Sequence, residues 1–193
     1  MIGHDIQDEM RGGDGNDMLF GDLVHTQLSL AIGSIDFETV NTDTKSNDIL
    51  HGGTGNDHII AGGGDDILDG GSGDDYLEAN AGHDTLKGSG GDDIFHFGLS
   101  EDDAYKELQN YEEAQLLFNT SIGHDFITDF QGAGATSGDI ISLNWEGFLV
   151  INDILEVITY EDTNAIITID SENSITLLDI APNSLTMHDF LIE

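Results

Sequence analysis

Residues 52–96 read GGTGNDHII, AGGGDDILD, GGSGDDYLE, ANAGHDTLK and GSGGDDIFH, five nine-residue units without a gap. Each carries Asp in sixth place and a bulky apolar residue in eighth. DTKSNDILH (43–51) precedes them in the same frame, GGDGNDMLF (12–20) is another full unit, and GHDIQDEMR (3–11) is a degenerate one. The sixth-place acids are therefore Asp8, Asp17, Asp48, Asp57, Asp66, Asp75, Asp84 and Asp93. The eighth-place residues are Met10, Leu19, Leu50, Ile59, Leu68, Leu77, Leu86 and Phe95.

Glycines at places one, two and four permit a tight turn with positive φ, which side chains oppose. Places seven to nine then form a short strand whose middle side chain points inward. Two units make one coil, and stacked coils sit at the strand spacing of roughly 4.8 Å. Eighth-place residues from both sides fill a thin core. The same stacking brings sixth-place carboxylates of alternate units together, where they repel unless a cation lies between them. Carboxylates and turn carbonyls form an all-oxygen set that suits Ca²⁺ better than Mg²⁺, which demands a tighter octahedron. Zinc would want His or Cys side chains placed together.

The rest of the composition agrees with a cation-neutralised fold. The chain has 193 residues, 38% hydrophobic, with 39 acidic residues against 4 basic and a formal charge of −35. Uncompensated, that excess favours disorder through self-repulsion. It also argues against nucleic acid, anionic lipid and polyanionic sugars as partners, since only Arg11, Lys45, Lys87 and Lys106 supply positive charge. There is no cysteine, hence no disulfide or thiolate site. No apolar run reaches membrane-spanning length, and MIGHDIQDEMR has no signal-peptide core.

The pattern GGxGxDxUx resembles the RTX (repeats-in-toxin) calcium-binding repeat. The resemblance covers about residues 3–96 and implies an all-β, right-handed parallel β-roll that binds several Ca²⁺ ions. It further implies that each ion sits between adjacent turns on one side, with Asp48, Asp66 and Asp84 along one edge and Asp57, Asp75 and Asp93 along the other. First- and third-place carbonyls would complete the sites: Gly12, Asp14, Gly52, Thr54, Ala61, Gly63, Gly70, Ser72, Ala79, Ala81, Gly88 and Gly90. ANAG (79–82) and DTKS (43–46) depart from the glycine pattern, which predicts weaker or missing sites there. The fifth-place acids Asp65, Asp74 and Asp92 are expected to point outward, adding negative field without direct bonds. A flexible Gly/Asp linker would need no apolar residue locked to every eighth place, and no stretch has the EF-hand pattern.

The expected organisation is a roll over 1–98 with a non-repeat insertion at about 21–42, a helical segment at 99–122, and a β cap at 123–193. The join NDMLFGDLV (16–24) resembles the repeat-then-insert passage of large bacterial RTX adhesins. Ser100 and Asp103 have capping-box spacing, and Ala104, Leu108, Tyr111, Ala114, Leu117 and Phe118 fall on one helical face. GHDFITDFQGAGATSGDIISL (123–143) resembles the flank that follows the roll in type I-secreted metalloproteases, lipases and alginate epimerases. Asp125, Ile127, Asp129, Phe130, Asp139, Ile141 and Leu143 carry that match. ILEVITY, AIITID and SITLLDI read as short strands. The ending MHDFLIE resembles an uncleaved type I export signal, and alternatively reads as a final strand.

No catalytic constellation is found. H-E-x-x-H and G-x-S-x-G are absent, and the eight histidines are scattered, with His51 and His96 read as exposed ninth-place strand residues. The chain begins in mid-repeat, so it is expected to be the C-terminal module of a longer protein, with any enzymatic or adhesive part upstream. The expected function is a Ca²⁺-binding RTX module, disordered at low calcium and folding outside the cell to support export and stability. Its partners would be calcium, type I secretion machinery and upstream domains of the same protein. The module would act as a monomer on the surface of, or secreted from, a Gram-negative bacterium. The alternative is a polysaccharide-binding or adhesive β-roll. An ice-binding ladder of Thr and Asn at the third and fifth places is unsupported, since only Thr54 with Asn56 supplies the pair.

Overall fold

The computed structural model describes residues 9–15, 18–21, 28–31, 34–37, 46–98, 122–132, 138–144 and 151–192. The expected helix over 99–122 lies, but for Ile122, outside the described residues.

Every repeat forms one short strand, and all but that of 12–20 run past the ninth place into the next turn. The strands are β1 (Glu9–Asp14), β2 (Met18–Phe20), β5 (Ile49–Thr54), β6 (His58–Gly63), β7 (Ile67–Ser72), β8 (Tyr76–Ala81), β9 (Thr85–Gly90) and β10 (Ile94–Gly98). Between β2 and β5, β3 (Leu28–Ala31) and β4 (Ser34–Phe37) pair antiparallel as a separate two-stranded sheet. After the repeats come β11 (His124–Ile127), β12 (Ile140–Asn144), helix α1 (Ile151–Glu156), β13 (Ile158–Glu161), β14 (Asn164–Thr168), β15 (Ser174–Leu177) and β16 (Phe190–Ile192).

Alternate units stack in parallel, because the chain crosses from one side of the roll to the other at each turn. One sheet has the order β1-β5-β7-β9-β11-β15-β14-β13 and the other β16-β12-β10-β8-β6-β2. The register advances by one coil, two units, at each step: Leu50 faces Leu68, Leu68 faces Leu86, and Leu86 faces Ile127. The opposite sheet places Leu19, Ile59, Leu77, Phe95 and Ile141 in line. All these residues are buried, so the eighth-place pattern is the core. This is the expected parallel β-roll.

The cap joins both sheets. β11 adds beside β9, β12 beside β10 and β15 beside β11, all parallel, while β14 and β13 continue the first sheet antiparallel. The run ILEVITY is only partly a strand: Ile154, Leu155 and Glu156 close helix α1, and the strand begins at Ile158. Ile151, Ile154 and Leu155 have helical spacing, and Asp153 lies in the favourable first turn. The tail is preceded by a capped 3₁₀ turn in which Thr186 and Asp189 exchange hydrogen bonds, and its strand β16 pairs with β12.

The two outer faces differ. At place nine on the first sheet His51 and Asp69 are half-buried and Lys87 is exposed. On the second, ninth-place Ile60, Glu78 and His96 and the matching Ser142 are buried. His96 is therefore not the exposed residue expected. Its Nδ1 lies 3.1 Å from Ser142 Oγ, its ring stacks on Tyr76, and burial pulls its pKa down to about 4. His51 does lie partly open, 3.8 Å from Asp69 Oδ2. Among the described residues no helix is long and apolar enough to cross a membrane.

Candidate metal centres

The sixth-place aspartates form two straight ladders, one on each edge of the roll. On the first edge the backbone N–H of Asp48 donates to Asp66 Oδ1 at 2.7 Å, that of Asp66 to Asp84 Oδ1 at 2.8 Å, and that of Asp84 to Asp125 Oδ1 at 2.9 Å. On the second edge Asp57 donates to Asp75, Asp75 to Asp93 and Asp93 to Asp139, at 2.8, 2.9 and 3.1 Å. Asp8 and Asp17 lie outside the described residues.

Each of these carboxylates is buried, and Oδ1 of Asp66, Asp84, Asp125, Asp75, Asp93 and Asp139 is committed to the ladder. The second oxygens of Asp75, Asp84, Asp93 and Asp125 are also buried and meet no hydrogen-bond donor. A buried carboxylate oxygen without a partner is costly, and in native proteins calls for an explanation such as an ion. Burial drives the pKa of Asp75 up to about 6 and that of Asp125 to about 8. Asp84 is raised well above the ordinary range by burial, reinforced by Asp125 and Asp66, and Asp93 is raised chiefly by burial.

The first-place glycines of the second edge are explained by room for these oxygens, not by φ. A Cβ at Gly52 would collide with Asp57 Oδ2 and with the Gly70 carbonyl oxygen. A Cβ at Gly70 would collide with Asp75 Oδ2, and one at Gly88 with Asp93 Oδ2. A carboxylate oxygen and a main-chain carbonyl thus converge on one cradle at Gly52. The third-place carbonyls of Thr54, Ser72, Ala81 and Gly90 each accept one N–H, from Gly15, Gly55, Gly64 and Gly73. Each keeps its second lone pair. Gly12, Asp14, Gly52, Gly63, Ala79 and Gly88 lie on the same rungs by register.

The fifth-place acids Asp65, Asp74 and Asp92 are exposed as expected, but Asp65 and Asp74 also accept main-chain N–H bonds. Asn47 Oδ1 accepts the N–H of Asp65, Asp65 Oδ1 that of His83, and His83 Nδ1 that of His124. On the other edge Asn56 accepts from Asp74, and Asp74 from Asp92. This outer rail runs opposite to the inner one: downstream N–H groups donate to upstream side chains. Asn, Asp and His serve alike, because the rail requires only one acceptor atom at that reach.

Two further aspartates continue the inner ladders beyond the repeats. Asp125 and Asp139 sit two residues before buried Ile127 and Ile141, as each sixth-place Asp sits before its eighth-place residue. That D-x-U spacing was the available signal, with Gly123 at the fourth place before Asp125 and the first- and second-place glycines missing. They end the ladders differently. Asp125 keeps an oxygen without a donor, whereas Asp139 Oδ2 accepts the N–H of Gln131 at 2.7 Å. Beside Asp139, Asp129 accepts the N–H groups of Gly88 and Ser89 with its two oxygens.

The family model of the RTX calcium-binding nonapeptide repeat (4 copies) matches residues 3–25, 44–77 and 69–103. The roll is built of RTX calcium-binding repeats. No curated protein matches the chain. Among solved structures it is similar to the extracellular lipase LipA from Serratia marcescens, at 17% identity and a TM-score of 0.36, over 100% of this chain and 39% of that one. It is also similar to the AlgE6R2 subunit of the Azotobacter vinelandii mannuronan C5-epimerase, at 20% identity and a TM-score of 0.35, over 96% and 92%. The chain thus spans well under half the length of the lipase.

Among the described residues no three His, Asp or Glu side chains converge on one point. An ion in this RTX roll would therefore be held by few carboxylates and several main-chain carbonyls. That donor set, with its unpartnered buried oxygens and Cβ-free cradles, fits Ca²⁺.

Proposed function

We propose that this RTX roll is a calcium-dependent folding module of a larger secreted protein, unfolded where calcium is scarce and folding where it is abundant. The observation that carries the reading is the pair of ladders in which Asp75, Asp84, Asp93 and Asp125 each bury an oxygen that meets no donor. Without an ion those charges oppose the fold; with Ca²⁺ bound they are neutralised and cross-linked between turns, and binding free energy becomes folding free energy. Asp48, Asp57, Asp66, Asp75, Asp84, Asp93 and Asp125 are the proposed side-chain ligands, with Asp8 and Asp17 extending the set upstream. Ala61 and Gly70 are the best-placed of the proposed carbonyls, each lying beside a carboxylate.

The acidic chain suits export by type I machinery: charge keeps it open inside a low-calcium cell, and extracellular calcium closes it outside. The tail Phe190–Ile192 is a strand in the folded state and is free to be read as a signal before folding. Any enzymatic or adhesive activity belongs to upstream parts of the same protein.

The test is a calcium titration followed together by calorimetry and circular dichroism. The expected result is a disordered spectrum in chelator, cooperative gain of β-structure with calcium, and a stoichiometry of several ions. Full β-structure in chelator would overturn the reading.

A further inference from the structure

The unit DTKSNDILH lacks a glycine at every turn place, which predicted a weak or absent site. The structure supplies the missing residue from elsewhere. Gly21 donates its N–H to Ile60 O at 2.9 Å and so remains in the roll, although residues 22–45 follow it in the chain. The expected start of the insertion at about 21 accordingly moves past Gly21.

A Cβ at Gly21 would collide with the Ala61 carbonyl oxygen and lie 2.7 Å from Asp48 Oδ2. Gly52 has the same relation to the Gly70 carbonyl and Asp57 Oδ2. Gly21 thus stands to Asp48 as Gly52 stands to Asp57, Gly70 to Asp75 and Gly88 to Asp93. At the other end of the turn, a Cβ at Gly64 would collide with Ser46 O, just as one at Gly73 would collide with Gly55 O. Asn47 and Asp48 then join the outer and inner rails of the next turn, through Asp65 and Asp66. Places one, four, five and six of a repeat turn are all occupied in register, the first by Gly21 and the rest by Ser46–Asp48. Asp48 is buried as deeply as the other ladder acids, and Ser46 Oγ donates to its Oδ2 at 3.3 Å. Unlike the fixed N–H on Asp139, a hydroxyl can rotate and offer its own oxygen to a cation.

We propose that Gly21 and Ser46–Asp48 form one calcium-binding turn split by residues 22–45, and that a Ca²⁺ held there by the Asp48 carboxylate and the Ala61 carbonyl ties the two ends of the insertion together. The inference rests on the calcium reading of the roll and goes beyond it in one respect. The insertion enters and leaves through an ion site, so closure of its base follows the occupancy of that site. The chemistry requires a hard, oxygen-seeking cation, since the turn offers a carboxylate and main-chain oxygen. The family model includes Gly21 in one matched segment and Ser46–Asp48 in another, consistent with two pieces of repeat structure.

The test uses the full chain and calcium alone, read by calorimetric stoichiometry and circular dichroism. In one variant, residues 22–45 are replaced by two glycines, which makes the turn contiguous as Gly21-Gly-Gly-Ser46-Asn47-Asp48. It should bind as many ions as the parent and reach the same calcium-loaded spectrum; one ion fewer, or no folding in calcium, overturns the split turn. In the second, Asp48→Ala should lose one ion both in the parent and in the spliced chain. An unchanged ion count in either background overturns the assignment. If the parent itself takes up no calcium, the reading of the whole roll fails, an outcome distinct from failure at this turn.

Discussion

The two edges of the roll carry the same aspartate ladder on different turns. Second-edge turns begin Gly52-Gly53, Gly70-Gly71 and Gly88-Ser89; first-edge turns begin Ala61-Gly62 and Ala79-Asn80, and one is divided by an insertion. At place two, Asn80 and Ser89 take φ of 67° and 74°, a left-handed conformation that Asn in particular tolerates. At place four, Gly64, Gly73, Gly82 and Gly91 are invariably glycine within the stack, with φ from 123° to 146°, and a Cβ on any of them would collide with a carbonyl of the turn below. Gly13 and Gly15, in the first described turn of their edge, would meet nothing within 4 Å. Stacking therefore adds a steric demand for glycine to the one that positive φ already makes at Gly13 and Gly15.

The strongest way to break this comparison is Gly73→Ala, which places a Cβ against Gly55 O at φ 123°. It should cost on the order of 3 kcal/mol or more, as strain and overlap at a special backbone position do. Urea unfolding in saturating calcium measures it, and a loss below about 1 kcal/mol would return the glycines to mere turn propensity.

The ends of the ladders sharpen it next. Asp125→Asn should lose one ion, because that carboxylate keeps an oxygen without a donor, whereas Asp139→Asn should retain the ion count while loosening the Gln131 contact. Calorimetric stoichiometry of the two variants distinguishes them. Equal losses would mean that the edges end alike.

A pH series gives a smaller, graded effect. The raised carboxylates make the ion-free roll bind more protons than the unfolded chain. Their contribution to its stability is present below about pH 4 and lost as pH rises through about 6 for Asp75 and Asp139 and about 8 for Asp125. Calcium competes with those protons. The calcium midpoint should therefore rise as pH falls from 8 to 6 and calcium uptake should release protons, seen as buffer-dependent heats. A midpoint independent of pH over that range would contradict the burial of these groups.

The smallest effect is expected at Asn80→Gly, on the order of 1 kcal/mol or less in either direction, because relief of left-handed strain is offset by unfolded-chain entropy. A thermal melt with calcium is sufficient to detect it.

The roll was legible in the sequence because its core and ladders repeat at fixed places: Leu50, Leu68 and Leu86 lie where the eighth-place rule put them, and Asp57, Asp75 and Asp93 stand in line. What was not legible was non-local or chemically degenerate. Gly21 completes a turn that no contiguous pattern contains. Asp125 and Asp139 continue the ladders with little of the glycine pattern, Gly123 alone keeping the fourth place two residues before Asp125. The outer rail accepts Asn47, Asp65 and His83 interchangeably, so no residue type marks it. His96 is buried beside Tyr76 and Ser142 of neighbouring strands, which its ninth-place position alone does not reveal.

The opposed directions of the inner and outer rails bear on how the stack comes apart. Between neighbouring turns on an edge, one amide is held by a carboxylate ahead of it and another by a side chain behind it, as at Asp48–Asp66 and Asn47–Asp65. Peeling the array from its leading end or its trailing end breaks the same reciprocal pair at each interface. Between repeat turns, an interface parted from its leading side or its trailing side therefore loses the same two bonds.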